Sequence, residues 1–168
     1  MLTAKIQAQA SLFLGWRYAR SGEQQEVPYY VQGFPSSLLG TDARRVDCST
    51  FTAWLLMSVY PQLQDRKAYE ALQIWDAAKP FSNCDLLMAR RVAGEAETPA
   101  KGCWYLVQTW EGEAGASQGH SRLAYCDGSD LALCLESTIS QRADGPQYRE
   151  ILWQDLLTRA AVRLARLY

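Results

Sequence analysis

The amino-acid sequence predicts an α+β fold, with helices in the first part of the chain and an antiparallel sheet in the second. Three observations lead there. Up to Ala77 the apolar residues recur at helical spacing. From Gly102 onward the chain turns to runs of β-formers. Between two of those runs stands Asp127-Gly128, a hairpin signal.

The elements follow in order. Leu2, Ile6, Ala10 and Phe13 predict a helix over residues 2 to 14. Gly15 to Arg45 carries glycine, proline and serine and reads as a long loop, with Tyr29, Tyr30 and Phe34 in it. Loops of that length usually carry function. Phe51, Trp54, Leu55 and Val59 then repeat at helical spacing, with Asp47 placed to cap the start and Pro61 to mark the stop. A further helix is expected near Asp65 to Ala77, with Tyr69, Leu72 and either Ile74 or Trp75 inward. Residues 79 to 100 are mixed and give no firm reading. Cys103 to Trp110 reads as a strand, Glu111 to Gly119 as a small polar loop, and His120–Cys126 and Leu131–Thr138 as two strands. The end, Ile151 to Tyr168, reads either as one helix or, preferably, as a helix to about Leu157 followed by a strand from Ala161.

Bulk properties narrow the function. The 168 residues suit one domain spanning residues 1–168. The net charge of −1 leaves no basic surplus for phosphates, which argues against nucleic-acid partners. The opening Met1-Leu2-Thr3-Ala4-Lys5-Ile6 lacks the apolar core of a signal peptide, and no run is long enough to span a membrane. The expectation is a chain that is cytoplasmic as synthesised, with signal-independent export left open. Five cysteines, an odd number without a signal peptide, argue against a disulfide scaffold. None forms a C-x-x-C pair, so a zinc site is a weak reading.

Cys48 stands one residue after the expected helix cap. There, unpaired N–H groups and the positive end of the helix dipole favour a thiolate and can stabilise an oxyanion. The same position also suits a small core residue. His120, the one histidine, begins an expected strand after a glycine, and a strand is a rigid mount for a catalytic base. A lone histidine equally serves on a surface or in a core.

Four segments, in order, carry a family resemblance. Val46-Asp47-Cys48-Ser49-Thr50-Phe51 resembles the D-C-S-G-F nucleophile motif of the NlpC-type cell-wall peptidases. Gly119-His120-Ser121-Arg122-Leu123-Ala124-Tyr125-Cys126-Asp127-Gly128 is similar to that family's G-H-V-G-I-Y-L-G strand and turn. Thr98 to Leu106 resembles the proline–glycine entry to the preceding strand, and Leu14-Gly15-Trp16-Arg17-Tyr18 the upstream L-G-x-x-Y element. Thr50 departs from the usual glycine, Ser121 and Arg122 from small apolar residues, and the stretch between Tyr18 and Cys48 is longer than typical.

The resemblance implies a papain-like fold, N-terminal helices packed on an antiparallel sheet, and amide hydrolysis without metal or organic cofactor. Cys48 would attack the carbonyl. His120 would take the thiol proton and return it to the leaving amine. Tyr18 would help form the oxyanion site, and Asp47 and Ser49, with that tyrosine, would bind a substrate amine. The implied substrate is a peptidoglycan stem peptide, cut at a γ-D-glutamyl–diamino acid bond. A Cys-His acyl or amide transferase of transglutaminase type is the competing enzyme, and a non-catalytic module that kept the fold is the competing non-enzyme.

A third catalytic group should orient the imidazole from the strand after the hairpin. A two-residue Asp127-Gly128 turn would put Ser137 on the face of His120, and a three-residue Cys126–Gly128 loop with a bulge would put Glu136 there. Glu136 is preferred. Ala124, Cys126, Ala132 and Cys134 are small and would let the helix of Cys48 approach that face. Arg44-Arg45 and Arg90-Arg91 read as surface pairs. Trp16 and Trp110 read as core, with a groove as the alternative.

Overall fold

Ile6 and Ala10, four residues apart, are buried along helix α1, Leu2–Ser11, as their spacing predicts. The computed structural model describes residues 2–20, 23, 44–73, 80–111, 118–139, 144–158 and 161–168. Among them the chain is α+β, with five helices and a six-stranded antiparallel sheet. Its contacts gather into two compact units, Met1–Gln73 with Glu136–Gln147, and Ile74–Leu135 with Tyr148–Tyr168.

The first unit is built round helix α2, Cys48–Val59. Every residue from Cys48 to Met57 is buried. The expected inward face of Phe51, Trp54, Leu55 and Val59 is therefore too narrow, and Val59 itself is half-buried. A helix apolar on all sides belongs inside a core, and Ala53 to Met57 is such a run. Phe13, just past α1, packs edge-on against Phe51 and Trp54 with centroids 5.5 and 5.2 Å apart. Trp16 lies 4.7 Å from Phe13. At the far end Tyr60 caps α2 and Pro61 opens a 3-10 turn, Pro61–Leu63. Helix α3, Arg66–Leu72, is capped by Asp65, whose carboxylate accepts the Ala68 N–H at 2.8 Å. Tyr69 and Leu72 point inward as expected. Tyr29, Tyr30, Phe34, Ile74 and Trp75 lie outside the described residues.

The long loop expected over Gly15 to Arg45 holds regular structure at both ends. Strand β1, Arg17–Tyr18, pairs in parallel with β2, Arg45–Val46. Two residues a side leave no periodicity to read, so only long-range pairing defines these strands.

The second unit includes helix α4, Ser82–Ala89, and strand β3, Ala93–Ala96, within the stretch whose residue pattern is mixed. The sheet runs β3-β8-β4-β5-β6-β7. Its other strands are β4 (Cys103–Glu111), β5 (Gln118–Cys126), β6 (Leu131–Ile139), β7 (Asp144–Leu152) and β8 (Ala161–Leu167). The preferred reading of the C-terminus holds, with helix α5 at Trp153–Leu157 and then β8. Ile151 and Leu152 belong to β7 and not to that helix. Arg163 on β8 ties the edge together, bidentate to Glu95 of β3 at 2.9 and 2.7 Å and bonded to Asp85 of α4 at 2.6 Å.

Among the described residues no helix is long and apolar enough to cross a membrane. All five cysteines are free thiols.

Candidate active site

The site begins at the N-terminus of α2. Asp47 is the cap, and its Oδ1 accepts the Thr50 N–H at 2.7 Å. Cys48 is the first helical residue, only 6% exposed. It stands in the first turn of the helix, whose backbone N–H groups can stabilise an oxyanion.

Tyr18 reaches Cys48 through the short parallel strands. The register places Tyr18 beside Val46, two residues before the cysteine. Its phenol lies beside the Cys48 thiol. Burial, then the charges of Cys48 and Asp47, push the phenol pKa well above its ordinary value. Tyr18 thus stays protonated and remains a hydrogen-bond donor.

Both strands are anchored. The Tyr18 N–H donates to Asp144 Oδ1 at 3.0 Å, and the Ser137 hydroxyl donates to the Val46 carbonyl at 2.7 Å. Gly145 takes a φ of +111°, and a methyl there would overlap the Trp16 carbonyl. The close passage of β7 beside β1 requires glycine.

On the other side of the first turn stands α3. The Ser49 hydroxyl lies 2.9 Å from Asp47 Oδ1 and 3.0 Å from Gln73 Oε1. The Thr50 hydroxyl lies 3.0 Å from the same Gln73 oxygen. Tyr69 lies beside Thr50, and burial above all pushes its pKa up to about 12. Four residues singled out from sequence, Tyr18, Asp47, Cys48 and Ser49, are thus brought together in the first unit. Sequence reasoning missed Gln73 and Tyr69. The one signal for them was Thr50 in place of glycine, since a hydroxyl there needs a partner.

His120 belongs to the second unit. It is half-buried on β5, opposite Thr109 of β4. Strand alternation places it on the face of Ala124 and Cys126. Its neighbour Ser121, on the opposite face, accepts from Asn83 Nδ2 at 3.3 Å. Gln108 on β4 accepts the Cys84 N–H at 2.9 Å, so α4 covers that side.

The hairpin corrects both proposed turns. Cys126 pairs with Ala132, and the connection between the strands is Asp127 to Asp130. Asp127 accepts the Ser129 N–H at 2.8 Å, Gly128 takes a φ of +99°, and these widen the turn beyond two or three residues. With Ala124 paired to Cys134, alternation along β6 carries Glu136 onto the face of Ala132 and Cys134, and Ser137 onto the other. Glu136 is 1% exposed, not a solvated strand-end residue. The packing reason for preferring it fails. Ala124, Cys126, Ala132 and Cys134 make room for Trp153 and Leu156 of α5 and cluster with Tyr105, Val107 and Leu164.

Comparison with models of known protein families, with curated proteins and with solved structures finds no match. The functional reading therefore rests on the sequence motifs and the chemistry of the site. Among the described residues no group of three His, Cys, Asp or Glu side chains is placed to hold a metal. One of the other thiols, Cys84, is poorly suited to act as a nucleophile. Cys84, Cys126 and Cys134 are buried, and burial pushes the Cys84 thiol up to about 12. Arg45 pairs with Glu23 at 3.6 Å, half exposed, as a surface arginine does.

Proposed function

We propose that this chain is a papain-like cysteine hydrolase of NlpC type that cleaves an amide bond in peptidoglycan stem peptides, between a γ-D-glutamyl residue and a diamino acid. One observation carries the reading: Cys48 opens a buried, Asp47-capped helix with the Tyr18 phenol beside its sulfur. A merely structural cysteine needs neither a capped helix start nor a protonated phenol at its sulfur.

In this mechanism His120 takes the Cys48 proton, and the thiolate attacks the scissile carbonyl. Tyr18 and the helix N–H groups stabilise the oxyanion. His120 then gives its proton to the leaving amine, and water hydrolyses the thioester. Asp47 and Ser49 receive a free substrate amine. Glu136 is the proposed orienting carboxylate for His120. This last role now stands on strand alternation and burial, since its packing argument is gone.

Digestion of purified muropeptides, read by mass spectrometry, tests the proposal. Wild type should add the mass of water across one stem-peptide bond, and Cys48→Ala should not. No mass change over a panel of stem peptides would contradict it. Transfer to an added amine in place of water would favour the transferase.

A further inference from the structure

We infer that Cys103 and Cys126 form an oxidisable dithiol, closing to a disulfide that staples β4 to β5 at the end of β5 away from His120. Both residues lie in the second unit, and the inference stands or falls independently of the hydrolase reading.

Three observations lead to it. First, Cys103 and Cys126 are register partners across the antiparallel β4–β5 pair. Directly opposite residues point to the same face of a sheet, with Cα atoms about 4.5–5.5 Å apart. That falls within the span of roughly 4.4–6.8 Å that a disulfide bridges. The Gly102 N–H donates to the Cys126 carbonyl at 2.7 Å and holds the two chains together at this point. Second, both thiols are free. Cys103 is half-buried, with its Sγ 3.8 Å from the Lys101 carbonyl, and it reaches toward Cys126 by turning about its Cα–Cβ bond. Third, Cys126 lines an open cavity of about 630 Å³ shared with Lys101, Ser129 and Asp130, which admits a small disulfide reagent.

Register also excludes the other pairings in this unit. Cys126 stands opposite Ala132, so Cys134 is its diagonal neighbour, at about 7–8 Å and out of bridging range. Cys84 on α4 is bonded through its N–H to Gln108, which faces the other side of β4 from Cys103.

The exchange balances with a disulfide oxidant of the glutathione class. The more accessible Cys103 sulfur, as thiolate, attacks one oxidant sulfur, forms a mixed disulfide and releases one thiol. The Cys126 thiolate then attacks Cys103 Sγ and expels the second thiol. The pair loses two electrons and two protons, and the oxidant gains them. Because the bridge joins strands that already pair, it restricts the unfolded chain and leaves the fold as it is.

The test incubates the full chain with oxidised glutathione at about pH 8, blocks the remaining thiols with iodoacetamide, and maps tryptic peptides of the monomer by mass spectrometry without reduction. Cleavage after Lys101, Arg122 and Arg142 puts Cys103 in one peptide and Cys126 with Cys134 in the next. We expect these peptides joined, two hydrogens lighter than their sum, in wild type and in Cys134→Ser. They should stay separate in Cys126→Ser and in Cys103→Ser. Cys103→Ser, at the half-buried position, decides should Cys126→Ser fail to fold. The oxidised wild type should also melt about 5 °C above the reduced protein, a difference that Cys103→Ser removes. No joined peptide in the wild type, with or without glutathione left on Cys103, overturns the inference. So does a joined peptide that survives Cys126→Ser, and equal melting midpoints before and after oxidation would overturn the stapling.

Discussion

At Asp47 one carboxylate serves as helix cap and as part of the proposed amine site. The two duties separate by measurement. Asp47→Ala should cost about 1 kcal/mol of stability through the lost cap, seen as a lower denaturation midpoint at unchanged m. Asp47→Asn keeps a capping oxygen, so it should restore most of that stability while losing affinity for a peptide with a free amine. Tyr18 divides more simply. Its pKa is raised, so it donates across the working pH range. Tyr18→Phe should lower kcat by about a hundredfold with little change in KM, because the donor acts on the developing oxyanion. Cys48 and Asp47 were legible as residues because capping and nucleophilic chemistry restrict the residue types at a helix start. Gln73 was not, because a glutamine near the end of a helix has no distinctive spacing.

At the scale of elements, the short strand carrying Tyr18 depends on one glycine. A methyl at Gly145 would overlap the Trp16 carbonyl and meet a positive φ. Gly145→Ala should therefore destabilise the protein by roughly 2 kcal/mol or more and lower kcat by displacing Tyr18. Circular dichroism melts and kinetics on the same sample would check both. The edge clamp of Arg163 gives a pH prediction. Its bond holds the Glu95 carboxyl below the usual carboxylate range. A depressed folded pKa adds stability above the unfolded pKa, and that stability is lost as pH falls through the folded value. Glu95 is half exposed, so Arg163→Ala should cost about 1 kcal/mol or less at pH 7. The difference from wild type in urea midpoint should shrink as pH falls below the ordinary carboxylate range. Long periodic elements such as α1, β4 and the β5–β6 pair were visible in the sequence. Strands β1 and β2 were not, because two residues carry no period. The turn length failed because Asp127-Gly128 fits a tight hairpin, and the Asp127–Ser129 contact that widens it depends on side-chain geometry.

Over the whole molecule, the order of helices first and strands after predicted the α+β class, because periodicity changes from helical to alternating near Gly102. The region around Cys84 and Ala93 gave no reading, because α4 and β3 are short and define themselves by covering Gln108 and pairing with β8. The proposed chemistry requires Cys48 as nucleophile and His120 as base. It needs Cys48 to be distinguished from four other thiols, of which Cys103 is half-buried and the rest are buried. The most direct test is the labelling rate of Cys48 by iodoacetamide at pH 7, located by peptide mass spectrometry, in wild type and in His120→Ala. Cys48 should react about tenfold or more faster than free cysteine, and His120→Ala should abolish that advantage. A Cys48 that reacts no faster than free cysteine, or whose rate is the same without His120, would contradict the assignment of these two residues as nucleophile and base.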